Sequence, residues 1–154
     1  LRDDVKFMIL TNGDIPELQA VKEKLQGRMV IKGVKHSQMK YYLALSNVGI
    51  VIRDDNIVNH VAAPTKIAEY LTNSLRILYS GDIGIISDLK PILGNQMLVE
   101  YKNDNNWIYA IRLGMEDSSK RIDQRVVSYF DMHTRQGETI RMFNAAFDKE
   151  REVF

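Results

Sequence analysis

The sequence has no cysteine, which excludes disulfides, thiolate chemistry and cysteine-held metal sites and fits a reducing compartment. No apolar run approaches the ~18–20 residues that cross a bilayer. The opening Leu1-Arg2-Asp3-Asp4 is unlike a signal peptide, and it lacks an initiator Met, as expected of a piece of a longer chain. An excess of one charge is missing too. Lys and Arg number 21 against 20 Asp and Glu, a formal net charge of +1, so nucleic-acid binding has no bulk electrostatic support. No Pro-, Gly- or Ser-rich linker, internal repeat or low-complexity segment divides the chain. A P-loop, a dinucleotide Gly-rich fingerprint and a nucleophile elbow are all lacking. His36, His60 and His133 have no metal-ligand spacing. What is present is 154 residues with 45% hydrophobic and 27% charged positions, the profile of one globular domain. These features predict a cytoplasmic, single-domain chain over residues 1–154.

Strand-like and helix-like segments alternate along it. Val5–Leu10 reads as a buried strand closed by the turn signal Asn12-Gly13-Asp14. Asp14 and Glu17 form a capping box ahead of a helix of about three turns carrying Ile15, Leu18, Val21 and Leu25. Met29–Ile31 is a second strand. Ser37 caps a helix with Met39, Tyr42 and Leu43 on one side, and Asn47–Ile52 is the third strand. Pro64 suits a helix first turn, with Ile67, Ala68 and Leu71 inward. Arg76–Tyr79 is the fourth strand, a short helix runs from Asp82 until Pro91, and Met97–Tyr101 is the fifth strand. Three helices follow, around Trp107, Ile108 and Ile111, around Ile122, Val126 and Phe130, and around Ile140, Phe143 and Phe147. Near-continuous apolar strands alternating with helices predict an α/β fold, a doubly wound parallel sheet of about five strands with C-terminal helices.

In such a sheet ligands bind beyond the carboxyl ends of the strands, which singles out the loops at residues 12–14, 33–37 and 53–66. Turn chemistry accounts for Asn12-Gly13. His36 fits a solvated loop histidine as well as a ligand. The loop from Arg53 to Lys66 is more telling, because it exceeds the usual two to six residues of such connections. Ala62 and Ala63 are poor N-caps, so the orphan amides of the following helix lack an obvious side-chain acceptor. An uncapped helix start with Lys66 in its first turn suits a diphosphate. Lys66 and Glu69 share a helix face, and an ordinary surface ion pair accounts for them equally well. Asp54-Asp55 invites comparison with a phosphoacceptor receiver, but Thr11 and Asn12 stand where that site needs acidic residues.

Ala63-Pro64-Thr65-Lys66-Ile67-Ala68-Glu69-Tyr70-Leu71 resembles the Pro-x-Lys-x-x-Glu-Tyr-Leu segment of nucleotide-sugar glycosyltransferases with two Rossmann-like domains, the retaining group 1, family 4-like type with a GT-B fold. Lys6–Gly13 is similar to that family's first strand-then-Gly unit, Val30-Ile31-Lys32-Gly33-Val34 to its nucleobase loop, and Tyr41–Val51 to its helix-then-strand unit. The likeness runs in order through about residues 5–115.

It implies the C-terminal, donor-binding domain of an enzyme of cytoplasmic glycan or glycolipid (polysaccharide) biosynthesis. The donor would be a nucleotide diphosphate sugar, with no metal or other cofactor and no nucleic acid. Glu69 would receive the ribose hydroxyls, for which a carboxylate offers two acceptor oxygens. Gly33 and Val34 would meet the nucleobase through backbone groups. Asn59, His60, Val61, Ala62, Ala63 and Lys66 would meet the sugar and diphosphate. No residue takes a catalytic role by this transfer. Val61 stands where relatives with a paired motif carry a second Glu, and Ser74 where the family has a Gly after the helix. The family's first strand–helix unit, with its basic pair, and its acceptor-binding N-terminal domain would precede Leu1, and that domain could hold the enzyme peripherally at a membrane. Alone, the chain would be inactive. With the missing strand closed over, the family order becomes 2-1-3-4-5. A non-catalytic nucleotide- or protein-binding module on the same scaffold is the competing expectation.

Overall fold

The computed structural model describes residues 4–61, 65–116 and 123–131. The chain forms two compact units, residues 1–42 and 43–154.

In the first unit, β1 (Phe7–Leu10) and β2 (Met29–Lys32) pair in parallel, Phe7 opposite Met29 and Leu10 opposite Lys32. The helix between them, α1 (Pro16–Lys24), departs from the expected capping box. Its N-cap is Ile15, with no side-chain cap bond, and Pro16 occupies the first helical position. Proline presets φ there and has no amide to satisfy, so a capping carboxylate is dispensable. The apolar positions of α1 are not a buried face, since none of its residues is buried and Val21 is exposed. Beyond β2, residues 36–38 make a 3₁₀ turn that runs into α2 (Met39–Ala44), and among the described residues Ser37 makes no cap bond. The boundary between the units falls within α2, and Leu43, just past it, is buried.

The second unit is built on the parallel sheet β3-β4-β5: β3 (Val48–Val51), β4 (Arg76–Tyr79) and β5 (Leu98–Glu100). Side chains alternate along β4. Ile77 and Tyr79 enter one core with Ile67 and Leu71 of α4 (Thr65–Thr72), Ile86, Leu89 and Leu93 of α5 (Gly84–Met97) and Val126 of α7 (Gln124–Phe130). Leu78 enters the other, with Val99 and with Ala110 of α6 (Asp104–Glu116). Helices therefore cover both faces of this sheet, as the apolar strands required. Ile67, Ile77, Leu78 and Leu89 are wholly removed from water, each contributing about 1.5–3 kcal/mol by burial.

Three expectations change. The strands form a two-stranded and a three-stranded sheet, where the sequence predicted one sheet of about five. Their orders, β2-β1 and β3-β4-β5, are the two parts of the expected order, and no β1–β3 ladder joins them among the described residues. Pro91 does not end its helix. It lies exposed within α5, and the break falls at Gly94, whose φ of 67° and ψ of −179° suit only glycine. The third loop holds a helix of its own, α3 (Ile57–Val61). The helix expected around Ile140, together with Pro64 and Ile122, lies outside the described residues. Among the described residues no helix is long and apolar enough to cross a membrane.

Candidate functional site

The chosen site residues divide between the units. Gly33 and Val34 follow β2 in the first, while Asn59, His60, Val61, Lys66 and Glu69 lie beyond β3 in the second. Ala62 and Ala63 fall outside the described residues.

In the first unit the loops after β1 and β2 meet. A Cβ on Gly33 would lie 2.9 Å from Asn12 Oδ1 and 3.4 Å from the Thr11 carbonyl oxygen, so a side chain there would have to displace the Asn12 amide. The Thr11 hydroxyl accepts from the Gly13 amide at 3.2 Å, and the Thr11 amide donates to the Lys32 carbonyl at 3.1 Å. Asn12 therefore lies beside Gly33, while the Gly13–Thr11 bond is the local chemistry of a turn. Val34 is buried at 8% exposure, leaving its backbone as the part able to meet a ligand.

In the second unit the connections after the adjacent strands β3 and β4 are stitched together. The Arg53 amide donates to Ser80 Oγ at 3.0 Å, and that hydroxyl donates back to the Arg53 carbonyl at 3.0 Å. His60 Nδ1 lies 2.8 Å from Asp82 Oδ2. Gly84 abuts the His60 carbonyl so closely that a Cβ there would clash with it. Gly81 takes a φ of 78°, and its position faces the Arg53 carbonyl oxygen.

Helix α4 starts beside this stitched edge. Lys66 is exposed and Glu69 half-buried. Among the described residues neither takes an ion pair, so the surface pair that their spacing allowed is not formed. The position of Glu69 is secured by its backbone. Its carbonyl accepts from the Asn73 amide at 3.3 Å, Asn73 Nδ2 at 2.8 Å and Thr72 Oγ1 at 3.2 Å. Its neighbour Tyr70 lies against Gly49 of β3, where a Cβ would come 2.5 Å from ring Cγ. Burial, reinforced by the Glu69 charge, pushes the Tyr70 phenol above its ordinary pKa.

The helix closes in a Schellman motif. Leu75 N–H donates to the Tyr70 carbonyl at 2.9 Å and Ser74 N–H to that of Leu71 at 3.0 Å, with Ser74 at a φ of 59°. The position where the resemblance called for glycine is therefore left-handed.

A separate cavity of about 370 Å³ opens beside β5, lined by Lys90, Asn95, Glu100, Lys102, Asn106 and Tyr109 among others. None of the residues chosen from the sequence lines it. Glu100 Oε2 lies 3.8 Å from Lys90 Nζ and 3.4 Å from Lys102 Nζ, and Lys90 also reaches Tyr79 Oη at 3.4 Å. Lys102 follows Glu100 by two residues, whereas Lys90 and Tyr79 are brought to it by α5 and by the pairing of β4 with β5.

Among the described residues no group of three or more His, Asp or Glu could hold a metal ion. Comparison with known protein families, curated proteins and solved structures finds no match.

Proposed function

We propose that the chain binds a nucleotide diphosphate sugar and is the donor-binding part of a glycosyltransferase that passes the sugar to a glycan or glycolipid acceptor. The observation that carries this reading is the pair at the head of α4. Lys66 and Glu69 stand one turn apart without neutralising each other among the described residues, beside the carboxyl ends of parallel strands where α/β folds take ligands. A half-buried carboxylate without a cation is suited to paired hydroxyls such as those of a ribose. The Lys66 ammonium and the first-turn amides are suited to the diphosphate, whose charge rises as the glycosidic bond breaks. Within the second unit, Asn59, His60 and Val61 lie along the sugar in the same reading. The acceptor-binding domain of the same protein is the partner.

The finer architecture that goes with this function is one Rossmann-like domain over residues 1–154 in the order 2-1-3-4-5. In the parallel ladders, Met8 and Leu10 turn their amides away from β2, and Val48 and Ile50 turn theirs away from β4. Slow hydrogen exchange at all four amides is the expected result, and exchange as fast as in an open edge contradicts that architecture.

Binding is tested by a thermal-shift panel of nucleoside diphosphates and their sugar esters, followed by calorimetry on Glu69→Ala. The variant is expected to keep its stability and to lose about 1.5–3 kcal/mol of donor affinity, the scale of a charged hydrogen bond. Unchanged affinity removes Glu69 from the site.

A further inference from the structure

We propose that the outer edge of β5 takes an extended peptide of a partner protein as an added strand, its acidic side chains turned toward α5 and its apolar ones toward α6. None of the residues assigned to the donor lines the cavity beside this edge, so the two readings stand or fall separately.

Strand β5 ends the sheet β3-β4-β5, and among the described residues no strand lies on its far side. The Tyr101 amide donates to the Tyr79 carbonyl at 2.6 Å, which sets the ladder. In that register the Val99 and Tyr101 amides turn to β4, while the amides and carbonyls of Leu98 and Glu100 turn outward. The Leu98 amide is taken by the Gly94 carbonyl, so the Glu100 amide and the two carbonyls remain for a partner. Edges are commonly guarded by shortness, by charge or by a covering element. Here Lys90 and Asn95 of α5 and Asn106 and Tyr109 of α6 stand around the edge and leave a cavity of about 370 Å³ beside it, where the next strand would run. Its two walls differ. Leu98 packs with α5 and Val99 with Ala110 of α6, so Glu100 returns to the α5 side. There Lys90 Nζ at 3.8 Å and Lys102 Nζ at 3.4 Å share its Oε2, and two ammonium groups against one carboxylate leave a surplus of positive charge. On the α6 side stand Val99 and the exposed ring of Tyr109. A strand presents its side chains to opposite faces in turn. The complement of these walls is therefore an alternation of acidic and apolar residues, on a backbone that supplies an acceptor for the Glu100 amide and donors for the carbonyls. A free anion would meet the lysines and leave both carbonyls unanswered.

Calorimetry on the full chain tests this with the capped peptide Thr-Val-Glu-Val-Glu-Val-Thr and a counterpart carrying lysine in place of both glutamates. The acidic peptide is expected to bind about tenfold or more tightly than the lysine one, whose charges would meet Lys90 and Lys102. Lys90→Ala and Lys102→Ala should each weaken it about two- to fivefold, the scale of an exposed ion pair. Glu100→Gln removes the competing carboxylate and should tighten it by a similar factor. Backbone pairing is read from two further peptides, N-methylated at the valines or at the glutamates. Alternate residues turn their amides to opposite edges of a strand, so one version should lose binding and the other keep it. Hydrogen exchange at the Glu100 amide should be fast in the free chain and slow with the peptide bound. An acidic peptide that does not bind, equal binding of both charges, or the same response to both N-methylated versions overturns the added strand. So does a Glu100 amide already slow in the free chain: at every concentration it means that this chain covers its own edge, and at high concentration alone it means that a second copy does.

Discussion

Replacing Gly49 by alanine tests how α4 is seated on the sheet, because Lys66 and Glu69 are carried by that helix. A Cβ at residue 49 would come 2.5 Å from Tyr70 Cγ and 2.7 Å from Cε2, and closer still to Cδ2. Carbon atoms rest at about 3.5–4.0 Å, so the ring must retreat by about 1 Å. Its retreat is opposed by the core against which Tyr70 packs, including Ile67 and Leu71 of its own helix. Overpacking of this kind costs about 1–3 kcal/mol. Alanine recovers roughly 0.5–1 kcal/mol relative to glycine in a strand, leaving a net loss of about 1–2 kcal/mol. Urea unfolding should show a lower midpoint at unchanged m. In a Tyr70→Ala background the ring is gone, and Gly49→Ala should become neutral or stabilising, a coupling of about 1 kcal/mol or more. The same loss in both backgrounds, or a Gly49→Ala protein as stable as wild type, would refute the seating of Tyr70 on Gly49. With it would go the account of how Glu69 is placed.

Three further outcomes follow from the same unit. Ser74→Gly should raise stability by about 0.5–1 kcal/mol, because the left-handed φ strains serine and not glycine; a less stable variant in thermal unfolding speaks against the Schellman geometry. The Tyr70 phenol has a folded pKa above its ordinary value, so the stability it contributes is present below about pH 10 and is lost as pH rises through the folded value. Tyr70→Phe should flatten that alkaline fall, and Glu69→Gln, which brings the folded value nearer the unfolded one, should make it smaller. Asp123 caps α7 and is held by the Arg125 guanidinium and amide, which keep its carboxyl below the ordinary value. Its contribution is present above about pH 4 and disappears as pH falls through the folded value, and Asp123→Ala should cost about 0.5–2 kcal/mol at neutral pH and progressively less in acid.

Periodicity carried the second unit well. Arg76–Tyr79 is found with the bounds read from the sequence, and Ile67 and Leu71 are the buried face of α4, because an amphipathic helix and an apolar strand each declare their core side locally. The same reasoning misjudged α1, where Ile15, Leu18 and Val21 have the right spacing and remain outside the core. Spacing states which residues share a face, not whether anything covers that face. Pro91 was given too much weight, since an exposed proline is tolerated and Gly94 sets the break. Within the site, Lys66 and Glu69 were visible as helix neighbours. Asp82, Ser80 and Gly84 were not, because their meeting with Arg53 and His60 depends on β3 and β4 lying side by side. A long third loop followed by polar residues directly after the next strand is the signal that could have found them.

The central claim is that Glu69 receives the ribose hydroxyls of a nucleotide diphosphate sugar. It is tested most directly by a calorimetric cycle in which wild type and Glu69→Ala are each titrated with the preferred nucleoside diphosphate and with its 2′,3′-dideoxy analogue. The account predicts that the wild-type protein binds the dideoxy analogue about 1.5–3 kcal/mol more weakly, and that Glu69→Ala binds both compounds alike, at the affinity of the wild-type–dideoxy pair. A wild-type protein indifferent to loss of the hydroxyls, or a Glu69→Ala protein that still distinguishes the two compounds, would contradict it.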